Sequence, residues 1–218
     1  MTSGYKKAVD DAADLILVKL NTPGGLVSTT KQILTLMGDS NIPTVIWVTP
    51  EGASATSAGA IIASSAHVLV MSEGTNIGAA TPIQLSKDIE KGDAKNKAVN
   101  DLVALVQGLA KSRGRSPEPY AEMIKTAASF DSRVALEKNV IDGIVSSQSE
   151  LEQFLNNREF VTKGVRQRLT LDRAQFNFFD MDFGQKILNT LAHPNMAYVL
   201  FLLGVALIYF ELQAPGGF

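Results

Sequence analysis

An α/β fold with a mostly parallel sheet is the architecture this sequence predicts, and three observations predict it. Short apolar runs (Leu15–Leu20, Thr44–Val48, His67–Met71) alternate with segments of helical character, Leu26–Met37 and Ala60–Ala66. The strand runs are apolar at consecutive positions, as strands covered by helices on both faces are. The order strand, helix, strand implies right-handed crossovers and parallel neighbours.

Taken in order, Thr2 to Ala13 is polar and alanine-rich and reads as a helix feeding the first strand. Met1 to Asp14 is charged and does not read as a signal peptide. The strand ends in Asn21-Thr22-Pro23-Gly24-Gly25, a turn. Leu26, Val27, Ile33, Leu34 and Met37 then mark an amphipathic helix. Pro43 precedes the Thr44–Val48 strand, and Pro50 to Ala66 follows, almost entirely small residues, with a helix from Ser57 to about Ser65. After the His67–Met71 strand, Gly74 to Pro82 is a loop or short strand. Gln84 to Asn96, carrying Lys87, Asp88, Glu90, Lys91 and Asp93, reads as an exposed loop.

Lys97 to Arg113 is a strong helix with Val99, Leu102, Val103, Leu105, Val106 and Leu109 on its apolar side. Helices at Pro117–Ala127 and Ser132–Asn139 and a strand at Ile141–Val145 complete a first domain, residues 1–150. Residues 151–192 read as a linker or small extension, with a short helix at Leu151–Leu155 and a hairpin over Val161–Leu171. Residues 193–218 hold the uncharged run Met196–Phe210, which rises roughly 22 Å as a helix against a hydrocarbon core of about 30 Å. With Asn195 and Glu211 to Gln213 it approaches a full span at the cost of one acid; a buried or docking helix is the alternative.

Composition narrows the function classes. A chain of 218 residues suffices for one good core or a core with an appendage. The formal net charge is -2 with no basic run, so no nucleic-acid footprint is expected. Absence of cysteine excludes disulfides, a thiol nucleophile and cysteine-held metal, and two distant histidines argue against a histidine metal site.

Two stretches carry chemistry. In Ala55-Thr56-Ser57-Ala58-Gly59 a serine stands at a strand-to-helix turn, beside the free N–H groups of a helix start, which hold developing negative charge. Gly24-Gly25, directly after a strand, exposes backbone N–H groups to a carbonyl oxygen. Each has an ordinary counterpart: a tightly packed small-residue helix, and a common Pro-Gly turn.

Together, NTPGG followed by GASATSAG resembles the ClpP-class serine peptidases, most closely the NfeD-type membrane proteases, with signal peptide peptidase A as a cousin. The resemblance runs from about Ala8 to Phe218 and takes in Asn76–Pro82, the segment around Lys97–Arg115 and Ala135–Asp142. It implies a ClpP/crotonase-like fold of repeated ββα units, followed by a first transmembrane helix. It also implies a signal sequence and strand before Thr2, and further spans and a small β domain after Phe218, so the chain is expected to be a fragment.

A serine nucleophile needs a base. His67 lies about 15 Å along a helix from Ser57, too far for a hydrogen bond of about 3 Å, and His193 begins the apolar C-terminal run. Lysine remains, and an amine works as a base only when neutral, which requires burial to lower a pKa of about 10.4. Lys87, Lys91 and Lys95 sit in a charged run, whereas Lys97 opens an amphipathic helix whose buried face begins at Val99 and Leu102, and it shares a side with residues 101 and 104–105, so it is expected to point inward along one edge. Lys97-Ala98-Val99-Asn100 matches the family's K-x-x-N, which implies Lys97 as dyad partner of Ser57, with Lys95 as the alternative. The same resemblance implies an oxyanion hole from the backbone N–H of Gly25 and Ala58.

A substrate peptide is expected as an added strand between Gly24-Leu26-Val27 and Asn76-Ile77-Gly78-Ala79. The activity expected is a membrane-anchored endopeptidase acting on apolar segments, needing no metal or other cofactor. The resemblance further implies a catalytic domain outside the cytoplasm, a stomatin-like membrane protein as partner, and a homo-oligomer. Two rivals stand beside it: an inactive peptidase-fold membrane scaffold, and a crotonase-like acyl-CoA enzyme.

Overall fold

The computed structural model describes residues 2–82, 93–171, 175–180, 183–191 and 194–213. It forms two compact units, Met1–Ala174 and Gln175–Phe218.

In the first unit, α1 (Thr2–Asp10) leads to β1 (Ile16–Leu20), α2 (Val27–Asp39), β2 (Thr44–Val48), β3 (Ser54–Thr56), α3 (Ala58–Ser64), β4 (Val68–Met71) and β5 (Asn76–Gly78). Then come α4 (Asp93–Ser112), α5 (Pro117–Lys125), β6 (Ser129–Asp131), α6 (Ser132–Glu137), β7 (Gly143–Ile144), α7 (Gln148–Leu155), β8 (Glu159–Thr162) and β9 (Val165–Arg168). The larger sheet runs β1-β2-β4-β7, parallel throughout. A smaller one runs β3-β5-β6, with β3 and β5 parallel and β5 and β6 antiparallel. The α/β, mostly parallel expectation is met.

Apolarity at consecutive strand positions has its structural reason here. Alternate residues of a strand face opposite sides. Ile46 and Val48 of β2, with Leu69 and Met71 of β4, enter a core that includes Met37, Leu102, Val106, Tyr120 and Ile124. Val45, Trp47, Val68 and Val70 face the other way, onto Leu151, Leu155, Phe160 and Leu169. Residues 151–171 therefore help cover the second face of the sheet. Trp47 Nε1 closes that layer by donating to Ser72 Oγ (3.0 Å) and the Val145 carbonyl (3.1 Å).

At the end of the sheet where β4 and β7 meet α4 and α5, the buried Arg115 pairs with the partly buried Asp142 at 2.6 Å. The same Asp142 oxygen accepts from Leu69 N–H at 2.6 Å, so one carboxylate ties the α4–α5 turn to a central strand. His67, half-buried nearby, accepts from Thr44 N–H through Nδ1 (3.1 Å). Burial, then the charges of Arg113 and Arg115, push its pKa down to about 4.

The second unit contains α8 (Phe183–Leu191) and α9 (Pro194–Gln213). α9 contains the apolar run expected to span a membrane. Among the described residues, however, no helix is long and apolar enough to cross one. Pro194, Asn195, Glu211 and Gln213 occupy the ends of α9 and shorten its apolar stretch.

Candidate active site

The site is built where two turns face each other. β3 leads into Ser57, which caps α3 with φ 56 and ψ -118, a backbone conformation uncommon for any residue but glycine. Its main chain is held on both sides: Ser57 N–H donates to the Gly78 carbonyl at 2.9 Å, and its carbonyl accepts from Ala60 N–H at 3.1 Å. Its Oγ makes no hydrogen bond among the described residues and is left available for chemistry.

The opposing turn is Thr22–Gly25. Thr22 N–H donates to the Ser54 carbonyl (2.7 Å) and Thr56 N–H donates back to the Thr22 carbonyl (3.1 Å), fastening this turn to β3. Asn21 Oδ1 accepts from Ser54 N–H at 3.1 Å. Thr22 Oγ1 donates to the Gly24 carbonyl (3.0 Å) and accepts from Gly24 N–H (3.1 Å), which curls the chain into the glycine pair. A β-carbon on Gly24 would meet Ser57 Cβ at 2.9 Å, and one on Gly25 would meet Ala58 Cβ at 3.5 Å. On the far side, one on Gly59 would meet Thr22 Cγ2 at 2.6 Å. The small residues around Ser57 are thus what lets two backbones lie side by side. Gly25 and Ala58 thus come close across the two turns, and neither N–H has a hydrogen-bond partner among the described residues.

Thr22 and Asn21 also hold this geometry and carry no role in the sequence reading. The readable signal was a hydroxyl residue two positions before Gly24, the spacing of a side-chain turn.

Leu26 and Val27 are exposed and open α2 directly after the glycine pair, as an accessible flank requires. Asn76, Ile77 and Gly78 are placed differently from expectation. They form β5, the middle strand of its sheet, with both edges paired. Ile77 is fully buried, and Asn76 Oδ1 accepts from Ser54 Oγ at 2.6 Å. No edge is left at 76–78 for an added strand; these residues position Ser57 instead, through the Gly78 carbonyl. Ala79, with φ 47, donates its N–H to the Ala128 carbonyl at 2.8 Å.

Lys97 lies in the second turn of α4 and is exposed. The buried side of α4 carries Leu102, Val103, Val106 and Ala110, with Val99 partly buried; Lys97 and Asp101 share the opposite side. The inward direction expected for Lys97 is therefore not the one found. Asp101, one turn on, reaches Lys31 of α2 at 3.5 Å, so this side of α4 is turned toward the helix that opens at the glycine pair. Lys95 stands one turn before Val99 in the helix; Lys87, Lys91 and His193 lie outside the described residues.

Comparison with known proteins bears on this geometry. The chain is 31% identical over 212 residues to the membrane-bound protease PH1510 of Pyrococcus horikoshii, covering 96% of this chain and 48% of that protein. It is 25% identical over 216 residues to the membrane protein NfeD1b of Bacillus subtilis, covering 99% and 48%. The chain thus spans about half the length of the curated relatives it matches. A solved structure of a membrane-bound stomatin-specific protease, a lysine-to-alanine variant holding a substrate peptide, superposes with a TM-score of 0.79 at 30% identity, over 87% of this chain and 88% of that one. A serine-to-alanine variant of the same protease gives 0.76 at 29%, over 83% and 89%. ClpP1 from Listeria monocytogenes, at 14% identity and a TM-score of 0.54 over 69% and 86%, shares the fold. The family model for the NfeD1b N-terminal domain matches residues 1–158, and the chain belongs to that family.

Proposed function

We propose that this chain is the catalytic part of a membrane-associated serine endopeptidase, with Ser57 as nucleophile and Lys97 as base. The observation that carries the reading is the pair of facing turns. Among the described residues the Ser57 hydroxyl is unbonded on a strained turn, and the N–H groups of Gly25 and Ala58, in the two turns that approach each other there, have no partner.

In the reaction, uncharged Lys97 takes the Ser57 proton as Oγ bonds to the substrate carbonyl carbon. The oxygen becomes an anion held by the N–H groups of Gly25 and Ala58. The C–N bond then breaks, Lys97 returns the proton to the leaving amine, and water, deprotonated by the same lysine, hydrolyses the ester. Exposed Leu26 and Val27 form one flank for an extended substrate. A peptide laid there would also exclude water from the side of α4 that carries Lys97, supplying the desolvation a neutral amine needs. Identity of the base draws support from the solved relatives: the replaced serine precedes the replaced lysine there by nearly the interval from Ser57 to Lys97.

One relative is a membrane-bound stomatin-specific protease, and by that likeness we take a stomatin-type membrane protein as substrate; that its apolar segments are cleaved and that α9 is held in the bilayer are part of the same proposal. On the resemblance alone we place the catalytic unit outside the cytoplasm, in a homo-oligomer. The exposure of Lys97 is the observation that favours the rival, an inactive membrane scaffold. Cleavage of an apolar peptide by the full chain decides between them. Ser57→Ala abolishes it in the proposed reading, and Lys97→Ala lowers it at least 10²-fold while Lys95→Ala leaves it nearly intact. Equal cleavage by wild type and Ser57→Ala would refute the nucleophile.

A further inference from the structure

We propose that α8 is a membrane-surface helix, lying in the plane of the bilayer with Phe183, Ile187, Leu188 and Leu191 in the boundary between headgroups and acyl chains. The proposal rests on the membrane reading above and adds to it where and how the second unit meets lipid.

The sequence of α8 separates cleanly around the helix. At 3.6 residues per turn, Phe183, Gly184, Ile187, Leu188 and Leu191 fall within an arc of about 140°, and Gln185, Lys186, Asn189 and Thr190 occupy the remainder. Water-facing helices of folded proteins bury such a stripe. Here it is open: Phe183 is 81% exposed and Leu188 68%, with Ile187 and Leu191 also exposed. Phe178 and Phe179, just before the helix, are exposed as well.

What covers the stripe is indicated by its neighbour. Only residues 192–193 separate α8 from α9, whose exposed apolar side chains include Val199, Leu200, Phe201, Leu202, Leu203 and Val205, placed around the whole helix. A protein partner covers one side of such a helix. A lipid solvent covers all sides, and a segment two residues upstream then lies at the lipid surface. At nine residues and about 13 Å, α8 itself is too short to cross and suited to lie flat. The polar side points to the force involved. Its single charge, Lys186, pairs with Asp180 at 2.5 Å, so docking is apolar and does not depend on anionic lipid.

The absence of cysteine permits a direct test. Single cysteines placed in the full chain at exposed positions (Phe183→Cys, Ile187→Cys, Leu188→Cys, Leu191→Cys, Lys186→Cys, Thr190→Cys, with Leu203→Cys in α9) each carry a nitroxide. The chain is reconstituted in vesicles of phosphatidylcholine, with and without phosphatidylglycerol. Collision with oxygen, which concentrates in lipid, and with a nickel chelate, which stays in water, is then measured. The proposal expects positions 183, 187, 188 and 191 to favour oxygen and 186 and 190 to favour nickel, unchanged by phosphatidylglycerol. Nickel access at all six, with oxygen access at 203, would place α8 in water and overturn it while leaving the membrane reading. Protection from both reagents would show a protein surface, this chain or a second copy, covering the stripe. Nickel access at 203 as well would remove the membrane reading and this proposal together.

Discussion

Gly24 faces Ser57 so closely that a β-carbon on Gly24 would stand 2.9 Å from Ser57 Cβ and 3.2 Å from its Oγ. Gly24 also has φ +141, a conformation L side chains rarely adopt. Gly24→Ala therefore either displaces the turn or displaces the serine. The expected outcome is a loss of about 1–3 kcal/mol in urea unfolding, with peptide cleavage lost. Gly25→Ala is the contrast, since its added methyl meets Ala58 Cβ at an ordinary 3.5 Å; its unfolding midpoint should stay within about 1 kcal/mol of wild type.

Gly78 is held more tightly. A β-carbon there would lie 2.3 Å from the Ala128 carbonyl oxygen, a backbone atom that cannot swing aside. The Gly78 carbonyl also accepts from Ser57 N–H, so movement of β5 moves the nucleophile. Gly78→Ala should cost more than about 3 kcal/mol by denaturant titration, well beyond a typical surface change.

How much of this was legible in the sequence depends on the length of the signal. Strands β1, β2 and β4 announced themselves through apolar runs, and the helices that pack on them through their periodicity. β3 and β6 did not, because three residues such as Ser54-Ala55-Thr56 show neither alternation nor apolar character. They are strands only because Thr22, β5 and each other's neighbours supply hydrogen-bond partners from far along the chain. For the same reason Asn76–Gly78 read as a free flank when it is an enclosed strand. Ser57 and the glycine pair were legible as motifs. The direction of Lys97 was not, since helical spacing shows which residues share a side but not which side meets the core.

Asp142 is the hinge of the polar network beneath the sheet. Asp142→Ala leaves the fully buried Arg115 charge unpaired and takes the acceptor from Leu69 N–H. Breaking one half of such a pair typically costs about 3–5 kcal/mol. Thermal unfolding of the variant measures it, and a change below about 1 kcal/mol would show that water compensates the arginine.

Acid stability should carry the signature of His67. Its folded pKa, about 4, lies below the ordinary 6.5, because burial and then Arg113 and Arg115 oppose the charged ring. The unfolded chain therefore binds the proton first. Stability is unaffected by this group above pH 6.5, declines as pH falls through the window from about 6.5 to 4, and stops declining below it. Discounted for a ring that is only half-buried, the loss is about 1–2 kcal/mol. Unfolding free energies across this window, compared with His67→Gln, should show the slope in wild type and a smaller one in the variant.

Activity itself should rise toward alkaline pH, since only an uncharged amine accepts the serine proton. kcat/KM that stays flat between about pH 5 and 9 contradicts a lysine base.

The most direct test of the facing-turn site is covalent labelling of the full chain by a fluorophosphonate, read by peptide mass spectrometry with its rate followed over pH. The account predicts one modified residue, Ser57, labelled faster as pH rises and at least about 10²-fold more slowly in Lys97→Ala. Labelling elsewhere, or at an unchanged rate in the lysine variant, would contradict it.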